Sequence, residues 1–344
     1  MKKVIMSLAV AMMVTTTVCA QQIAVVKGSV TNTYQTLQEA IDVAESGSVV
    51  YLPGGGFPVA DTVRISKLLT IVGISHKVNS DNADGSTIIN GNVHFMNGSD
   101  GSAIMGCYIT KDLIIGEEEG HVDHINVKYC NTNAIDVKNS SCDGIFINQN
   151  YIRAVARFSK SNPTITNNIV NYLDQISSGT IKNNVITGGD QNGFALTYIT
   201  ASIITDNIIF SSSGYWDVRD CQVSGNICGF NYGDDCIRIV YESEWRNMFV
   251  NPAGVSTTSD YHFTDDYQQY SNKGIYGGSG FSDGALPPIP YISEKKIAEQ
   301  TDAAGKLSIR IKVNAGGSDG SLQGGATGGS DSDVSIGSGD EDGM

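Results

Sequence analysis

The chain has 344 residues, with 22 Lys and Arg against 36 Asp and Glu and a formal net charge of −14 at pH 7. This acidic balance excludes a nucleic-acid partner, because a protein that binds nucleic acid presents a basic face to the phosphates. Apolar residues make up 40% of the chain, so it can bury a substantial core.

The N-terminus predicts a cleavable signal peptide over residues 1–20. Lys2 and Lys3 form a charged start, and residues 4–14 are an apolar run too short to span a bilayer. The small residues that follow fit a cleavage site, although Cys19 leaves a lipoprotein anchor open and a buried strand is a further alternative. No later segment is apolar enough to cross a membrane, so we expect an exported protein: secreted, periplasmic or at the cell surface.

Residues 36–44 predict a short amphipathic helix that begins at a capping box. Thr36 and Glu39 have the spacing of that motif. The apolar positions recur at helical spacing on one face: Leu37, Ala40, Ile41 and Ala44. Such a helix would cover the open end of a repeat array, whose terminal units need a cap.

A repeat of about twenty residues occupies the middle of the chain. Its unit is an apolar residue, two variable residues, Asn or a stand-in, and two mostly apolar residues. The copies start at Ile104, Ile125, Ile147, Ile165, Ile181, Ile204, Val223 and Glu244, separated by 21, 22, 18, 16, 23, 19 and 21 residues. A βαβ unit needs about 30 residues, so this period indicates one turn of a solenoid made of short strands.

The recurring Asn has a structural role in this interpretation. Asn tolerates the left-handed backbone conformation at a bend between strands, and stacked coils would place its amides in a ladder. In the weak second copy, Lys128 takes the place of Asn. We therefore predict an all-β parallel solenoid over residues 21–250 with a short N-terminal capping helix.

Six cysteines remain after the predicted cleavage: Cys107, Cys130, Cys142, Cys221, Cys228 and Cys236. Several occupy core places in the repeat, which favours buried thiols. An exported chain can also oxidise cysteines, so a disulfide framework stays open. None lies in a C-x-x-C pair or near a His pair, so a zinc site is not expected.

The coil pattern fades towards the C-terminus. Residues 251–315 are predicted to wrap back over the solenoid or to cap its end, and Leu307 to Val313 alternates like one strand. The five tyrosines of residues 255–292 are expected to pack, with a sugar-stacking surface as the alternative. Residues 316–344 are rich in Gly, Ser and Asp and are predicted to be a disordered acidic tail.

Three short stretches of the opening coil carry a resemblance: Tyr34-Gln-Thr-Leu-Gln-Glu-Ala-Ile41, Tyr51-Leu-Pro53 and Leu69-Thr-Ile-Val-Gly73. They resemble the pectate lyase and pectin esterase superfamily. The Asn-Asn-Ile coils and residues 274–313 resemble secreted β-helix repeat proteins of the Bacteroides type. The resemblance implies a right-handed parallel β-helix whose partner is a polysaccharide or host glycan. It implies no single activity, because the superfamily contains lyases, hydrolases, esterases and non-catalytic surface proteins.

The segment Gly233-Asp-Asp-Cys236 resembles a motif of the polygalacturonases. In that family the two Asp belong to three carboxylates that protonate the leaving group and activate water. The family's upstream Asn-Thr-Asp and downstream Gly-His-Gly are missing here. The resemblance makes Asp234 and Asp235 candidate catalytic residues, with a solvated turn as the alternative.

A wider acidic group surrounds this motif. Its members are about one coil apart and are therefore candidates to converge: Asp217, Asp220, Asp234 and Asp235, with Arg219 and Arg238. Pectate lyases, which these residues resemble in kind, hold calcium with clustered Asp and use Arg or Lys to remove a proton from a uronate. Ca²⁺ would be the cofactor of such a site, because hard oxygen ligands suit it. The candidate base needs a depressed pKa.

Arg153, Arg157 and Lys160 form the only basic patch of the predicted solenoid. The patch is a candidate substrate-binding surface for an acidic glycan, with a solvated face as the alternative. The turn at residues 121–124 reads His-Val-Asp-His. It lacks a third distant ligand, so a polar loop is expected and a metal site is not.

A full repeat without an intact catalytic set favours a polysaccharide-associated binding or structural protein. The extended face of a solenoid suits a long polymer. The alternative is a polysaccharide lyase or glycoside hydrolase acting on uronate-containing glycans, so the question of catalysis stays open. A purely structural or adhesive protein is the third hypothesis.

Overall fold

The structure is a computed structural model that describes residues 22–77, 85–210, 214–229, 236–239, 242–283, 286–298, 300 and 306–314. Its main body is a parallel β-solenoid of about nine turns, so the predicted solenoid fold is confirmed. The predicted signal peptide and acidic tail, with Asp234 and Asp235, lie outside the described residues. Every helix in the described part of the chain is too short or too polar to cross a bilayer.

The N-terminal part forms one end of the solenoid. Strand β1 runs antiparallel to β2 and β3, whereas β3 and β5 begin the parallel stacking. The elements are β1 (Ile23–Lys27), β2 (Val30–Tyr34), α1 (Leu37–Val43), β3 (Ser48–Tyr51), β4 (Gly55–Ile65) and β5 (Leu69–Val72).

The predicted apolar helix face is buried in the main core: Leu37, Ala40, Ile41 and Ala44. The capping helix is therefore confirmed. The capping box is wrong, because Thr36 is the N-cap but makes no side-chain cap hydrogen bond. Its Oγ1 instead donates to Oε2 of Glu39 at 3.4 Å.

The coils that follow are built from short strands, most of them two to five residues long. They are β6 (Thr87–Phe95), β7 (Ala103–Met105), β8 (Cys107–Ile109), β9 (Leu113–Ile115), β10 (Asn126–Lys128), β11 (Asn131–Thr132), β12 (Ile135–Val137), β13 (Phe146–Asn148), β14 (Tyr151–Arg157), β15 (Thr164–Thr166), β16 (Ile169–Ser177), β17 (Thr180–Lys182), β18 (Val185–Ile186), β19 (Leu196–Thr200), β20 (Ile203–Thr205), β21 (Ile208–Ile209), β22 (Tyr215–Arg219), β23 (Gln222–Ser224), β24 (Ile227–Cys228) and β25 (Ile237–Arg238).

These strands stack into three faces. The first face has the order β2-β1-β3-β5-β7-β10-β13-β15-β17-β20-β23. The second and third faces belong to one larger sheet, because β4, β6, β14 and β16 run across both. The second face continues through β8, β11, β18, β21, β24 and β25. The third face continues through β9, β12, β19 and β22.

The predicted Asn ladder is present between the first two faces. Its members are fully buried: Asn150, Asn168, Asn184, Asn207 and Asn226. The amide Nδ2 of each of the first four donates to Oδ1 of the Asn in the next coil at 3.0 Å. The left-handed conformation is found one residue earlier than we predicted, for example at Asn167 and Asn183, each with φ of 54°. The ladder Asn therefore supplies hydrogen bonds, and its predecessor makes the bend.

The structure shows that two of the predicted repeat copies, those at Ile125 and Glu244, are wrong. Val127, not Ile125, is in register with Ile104, so Cys130 rather than Lys128 occupies the ladder position. The Cys130 Sγ donates to the carbonyl oxygen two residues earlier at 3.2 Å, as a ladder amide does. The copy at Glu244 is not a coil, because those residues form a helix.

The cysteines behave as core thiols. In the described part of the chain, Cys107, Cys130 and Cys142 are free and buried, Cys221 is free and partly exposed, and Cys228 is also buried. Burial raises the pKa of Cys130 to about 12. The prediction of mostly buried thiols is confirmed.

After the last coil the described chain forms one short α-helix, two 3₁₀ turns and two small antiparallel sheets. The predicted strand near residue 310 is present as the last element. The elements are α2 (Glu242–Met248), β26 (Phe249–Asn251), β27 (Asp260–Phe263), 3₁₀ turns at Asp265–Tyr270 and Gly274–Tyr276, β28 (Tyr291–Ile297) and β29 (Ile309–Asn314).

Residues 242–283, which we call the C-terminal cover, lie on the second face. Trp245, Phe249 and Tyr261 pack there in a second apolar cluster against outward side chains of β14, β16, β18, β21 and β24. Tyr261 is almost completely buried, so this tyrosine packs as expected. The second face is thus closed to solvent over these coils.

The cover doubles back along the solenoid. Side chains of the left-handed column bind its backbone at three points, each in an earlier coil than the last: Asn183 Nδ2 to Asn272 O at 2.9 Å, Asn167 Nδ2 to Gly277 O at 2.6 Å, and Gln149 Oε1 from Ser282 N at 2.7 Å. Of the two predicted arrangements for this segment, the structure has the wrapped one.

Candidate functional site

No described segment covers the third face in this way, and its outward side chains form a continuous row. In register from coil to coil, the row reads Asp136, Arg157, Asp174, Thr197 and Trp216. Successive residues of a strand point to opposite sides. The residue before each of the first four therefore points inward and is buried: Ile135, Ala156, Leu173 and Leu196.

Arg157, Asp174 and Thr197 of this row form the floor of a groove of about 790 Å³, which we call the third-face groove. Residues of β14, β16, β19 and β22 line it, together with the loop before β19. The lining includes Arg157, Asp174, Asp190, Phe194, Tyr198 and Trp216.

Three polar residues of the floor form one hydrogen-bonded chain. Arg157 Nε donates to Oδ2 of Asp174 at 2.9 Å, and Thr197 Oγ1 donates to Oδ1 of Asp174 at 2.8 Å. The hydrogen bond to Asp174 raises the pKa of Arg157. Both carboxylate oxygens of Asp174 are therefore engaged, and its side chain is only 10% exposed.

Aromatic rings stand above this floor. Trp216 is 55% exposed and Tyr198 is 47% exposed. Phe194 lies beside Trp216 with ring centroids 5.6 Å apart. Tyr198 has φ of 53°, and the residues at the same place in the neighbouring coils, Gln175 and Asp217, are also left-handed. The bend is thus a regular part of these coils.

The loop before β19 makes one wall. Asp190 organises it, because its Oδ1 accepts the backbone amides of Asn192 at 2.8 Å and Phe194 at 3.0 Å. Sequence reasoning missed this wall. The available signal was the longest interval between repeat starts, 23 residues from Ile181 to Ile204, with a Gly-rich polar stretch inside. Insertions in a repeat commonly form loops on the binding face.

The three predicted basic residues have separate partners. Arg157 lines the groove as described. The Arg153 guanidinium lies 5.3 Å from the ring centroid of Tyr108 and donates to the carbonyl of Thr110 at 3.0 Å. Lys160 is in a turn with φ of 69°. Their role in glycan binding stays a prediction, and Arg157 alone of the three lines the groove.

Two of the candidate catalytic acids lie beside the groove. Asp217 follows Trp216 on β22 and forms an ion pair with Arg219, with Oδ1 2.7 Å from Nε. Asp220 is exposed in the turn after β22, with φ of 56°. Asp234 and Asp235 lie outside the described residues.

Arg238, the fifth candidate, belongs to a different face. It is on β25 of the second face, in register with Val170 of β16. Asp217 occupies the column of Gln175, farther along the same strand. A strand advances about 3.3 Å per residue, so the two columns are roughly 16 Å apart. The described members of the set are not brought together, and their catalytic role stays a prediction.

The two described carboxylates of the groove differ from the pair that glycoside hydrolysis needs. Glycoside hydrolysis needs a carboxylic acid with a raised pKa and a second free carboxylate. Asp174 has both oxygens occupied. Burial acts to raise the pKa of Asp190, but the backbone amides of Phe194 and Asn192 outweigh it, and the pKa is lowered.

One group of potential metal ligands lies elsewhere on the molecule. The third distant ligand that the His-Val-Asp-His turn lacked in sequence is Asp100, which joins His121 and Asp123 with ligand atoms within 4.8 Å of one another. The group is mostly exposed, and its carboxylates also hold turns: Asp100 Oδ1 accepts the Asp123 amide at 2.9 Å, and Asp123 Oδ1 accepts the Asp143 amide at 2.8 Å. These hydrogen bonds give the two acids a structural role.

No protein-family model matches the chain, and comparisons with curated proteins and with solved structures found no match either. Its function must therefore be inferred from the third-face groove itself.

Proposed function

We propose that this protein is an exported β-solenoid of the pectate lyase-like type that binds polysaccharide in the third-face groove without cleaving it. The observation that carries the proposal is the pair of exposed rings, Trp216 and Tyr198, above a hydrogen-bonded polar floor. Exposed large aromatic side chains beside a groove are typical of ligand sites. The apolar face of a sugar ring fits such a ring, while its hydroxyls fit the polar groups around it.

The shape of the site favours a polymer over a small molecule. The groove lies on the long side of a solenoid, where neighbouring coils extend the surface in register. Concave or flat solenoid faces are used for extended ligands. Upstream of Arg157 the same outward row continues through Asp136, Ile114 and His94, which gives a chain room to continue.

The described lining of the groove contains no paired catalytic acid, and this supports binding without cleavage. Asp174 is fixed by two hydrogen bonds. A lyase or hydrolase that uses Asp217, Asp220, Asp234, Asp235 and Arg238, with Ca²⁺ if it is a lyase, remains the alternative. No observation on the described residues favours it over binding.

The test is a binding measurement on the mature protein. We expect affinity electrophoresis against a panel of plant and host polysaccharides to retard the protein, and Trp216→Ala to weaken the best interaction at least about tenfold, as loss of an aromatic anchor does. Tyr51→Ala is the matched control, since Tyr51 is 41% exposed on the first face. It should leave the affinity unchanged.

Two results would contradict the proposal. One is no retardation by any polysaccharide, and the other is equal affinity of wild type and Trp216→Ala. New reducing ends or unsaturated products, measured with and without Ca²⁺, would instead support the alternative. In that case Asp217→Asn and Asp235→Asn should abolish the products.

A further inference from the structure

The third-face groove carries more negative than positive charge. Its described lining contains one cation, Arg157, and two carboxylates, Asp174 and Asp190. Arg157 and Asp174 form an ion pair, which leaves the charge of Asp190 without a partner of opposite sign in the groove. This balance bears directly on which polysaccharides can enter.

Arg157 forms an ion pair with Asp174 through its Nε. The Asp174 side chain is only 10% exposed, so a ligand that drew Arg157 away would leave a nearly buried carboxylate unpaired. Breaking a buried pair in this way is strongly unfavourable. Arg157 is thus the one cation that the described lining offers to a uronate carboxylate, and its charge is already balanced by Asp174.

Asp190 is held as a carboxylate at the groove wall. Two backbone amides, those of Asn192 and Phe194, donate to its Oδ1 at 2.8 and 3.0 Å. Its Oδ2 has a long contact of 3.4 Å with the side-chain amide of Asn192, and the backbone amide of Gly193 also acts on the carboxylate. This oxygen is therefore suited to accept a hydrogen bond from a ligand hydroxyl.

We propose that the third-face groove takes uncharged polysaccharide and that Asp190 excludes uronate-bearing chains. The inference rests on the proposed binding function and adds the substrate class. A neutral sugar supplies hydroxyls to Asp190 and to the exposed amides of Gln191 and Asn192, and a ring face to Trp216. A uronate places its carboxylate against a fixed charge of the same sign, and the net charge of −14 adds to that repulsion.

The experiment compares neutral polysaccharides (glucan, mannan, galactan, xylan) with polygalacturonate and alginate, by affinity electrophoresis at about 20 mM and about 300 mM salt. Wild type should bind its best neutral polymer at least about tenfold more tightly than either uronate polymer at low salt. Asp190→Asn keeps a side-chain oxygen that accepts from the two backbone amides and should raise uronate affinity about threefold to tenfold, with a smaller effect at high salt. Glu118→Gln makes the same charge change on an exposed loop, and uronate affinity should stay at the wild-type value.

The inference is overturned if wild type prefers a uronate polymer, or if Asp190→Asn and Glu118→Gln have the same uronate affinity. Failure of the proposed function has a different signature. If no polymer binds, or if Trp216→Ala changes none of the affinities, the groove is not a glycan site. The proposed preference for uncharged polysaccharide is then wrong as well.

Discussion

The second and third faces of the solenoid are made by the same coils but have opposite outward surfaces. On the second face the outward row is apolar and at most 2% exposed: Tyr151, Ile169, Val185, Ile208 and Ile227. On the third face, the corresponding row runs from Arg157 to the exposed Trp216. The inward rows of both faces are buried up to the last coil, where Tyr215 is 40% exposed, so the main difference lies in the outward side chains.

The two tryptophans of the chain fall on either side of this difference. Trp245 belongs to the C-terminal cover, is 6% exposed and lies 4.5 Å from Phe210 between ring centroids. Trp216 is 55% exposed on the face without a cover. Covered aromatic residues serve folding, and uncovered ones are available to a ligand. Substitutions of covered aromatic residues should therefore lower stability, whereas substitutions of uncovered ones should weaken ligand binding.

The largest effect is expected from Trp245→Ala. It should lower the free energy of unfolding by about 3–5 kcal/mol, because it removes a large buried side chain and leaves a cavity under the cover. Urea unfolding followed by far-UV circular dichroism measures it. Trp245→Phe keeps an aromatic contact with Phe210 and should cost less. A loss below about 1 kcal/mol for the Ala variant would mean that the cover contributes little to stability.

A smaller effect is expected at the upstream limit of the covered row, where His76 packs edge-on against Tyr151 at 5.0 Å. Burial, with a smaller contribution from Lys77, lowers the pKa of His76 from 6.5 to about 3. Because the folded-state pKa lies below the unfolded value, the stability from neutral His76 is complete above about pH 6.5 and is lost as the pH falls towards 3.

His76→Gln should remove this part of the pH dependence. Between pH 7 and pH 4, wild type should lose about 3 kcal/mol more of its free energy of unfolding than the variant does. Urea titrations at several pH values provide the comparison, and the variant's own loss accounts for the carboxylates that protonate over the same range. Parallel curves for the two proteins would show that His76 is not buried as a neutral imidazole.

The repeat predicted the inward rows and the ladder because both depend on residues a fixed number of places apart in one coil. The repeat did not predict the positions that depend on a shift of one or two residues. The left-handed bend falls on Asn167 rather than Asn168, and the ladder position of the weak coil falls on Cys130 rather than Lys128. Both positions lie within two residues of the predicted ones, and only strand register separates them.

The groove was harder to predict, because its parts come from four coils and meet through register alone. Sequence spacing brought Asp217 and Arg238 together, since they are about one coil apart. It could not show that a coil has three faces and that the two residues lie on different ones. The insertion that carries Asp190 was visible as a long interval between repeat starts. Its sequence did not show that Trp216 lies across the groove from it.

The smallest effect on stability is expected from Trp216→Ala, and that small effect is informative. Trp216 is exposed and rests mainly on Phe194, so its removal should change the free energy of unfolding by less than about 0.5 kcal/mol. The same urea experiment as for Trp245→Ala measures it, with Tyr51→Ala as an exposed aromatic control. If Trp216→Ala leaves stability unchanged while it weakens glycan binding, the ring serves ligand binding and not folding. A loss near that of Trp245→Ala would mean that Trp216 holds the last coils together, and the contrast between the two faces would then concern packing alone.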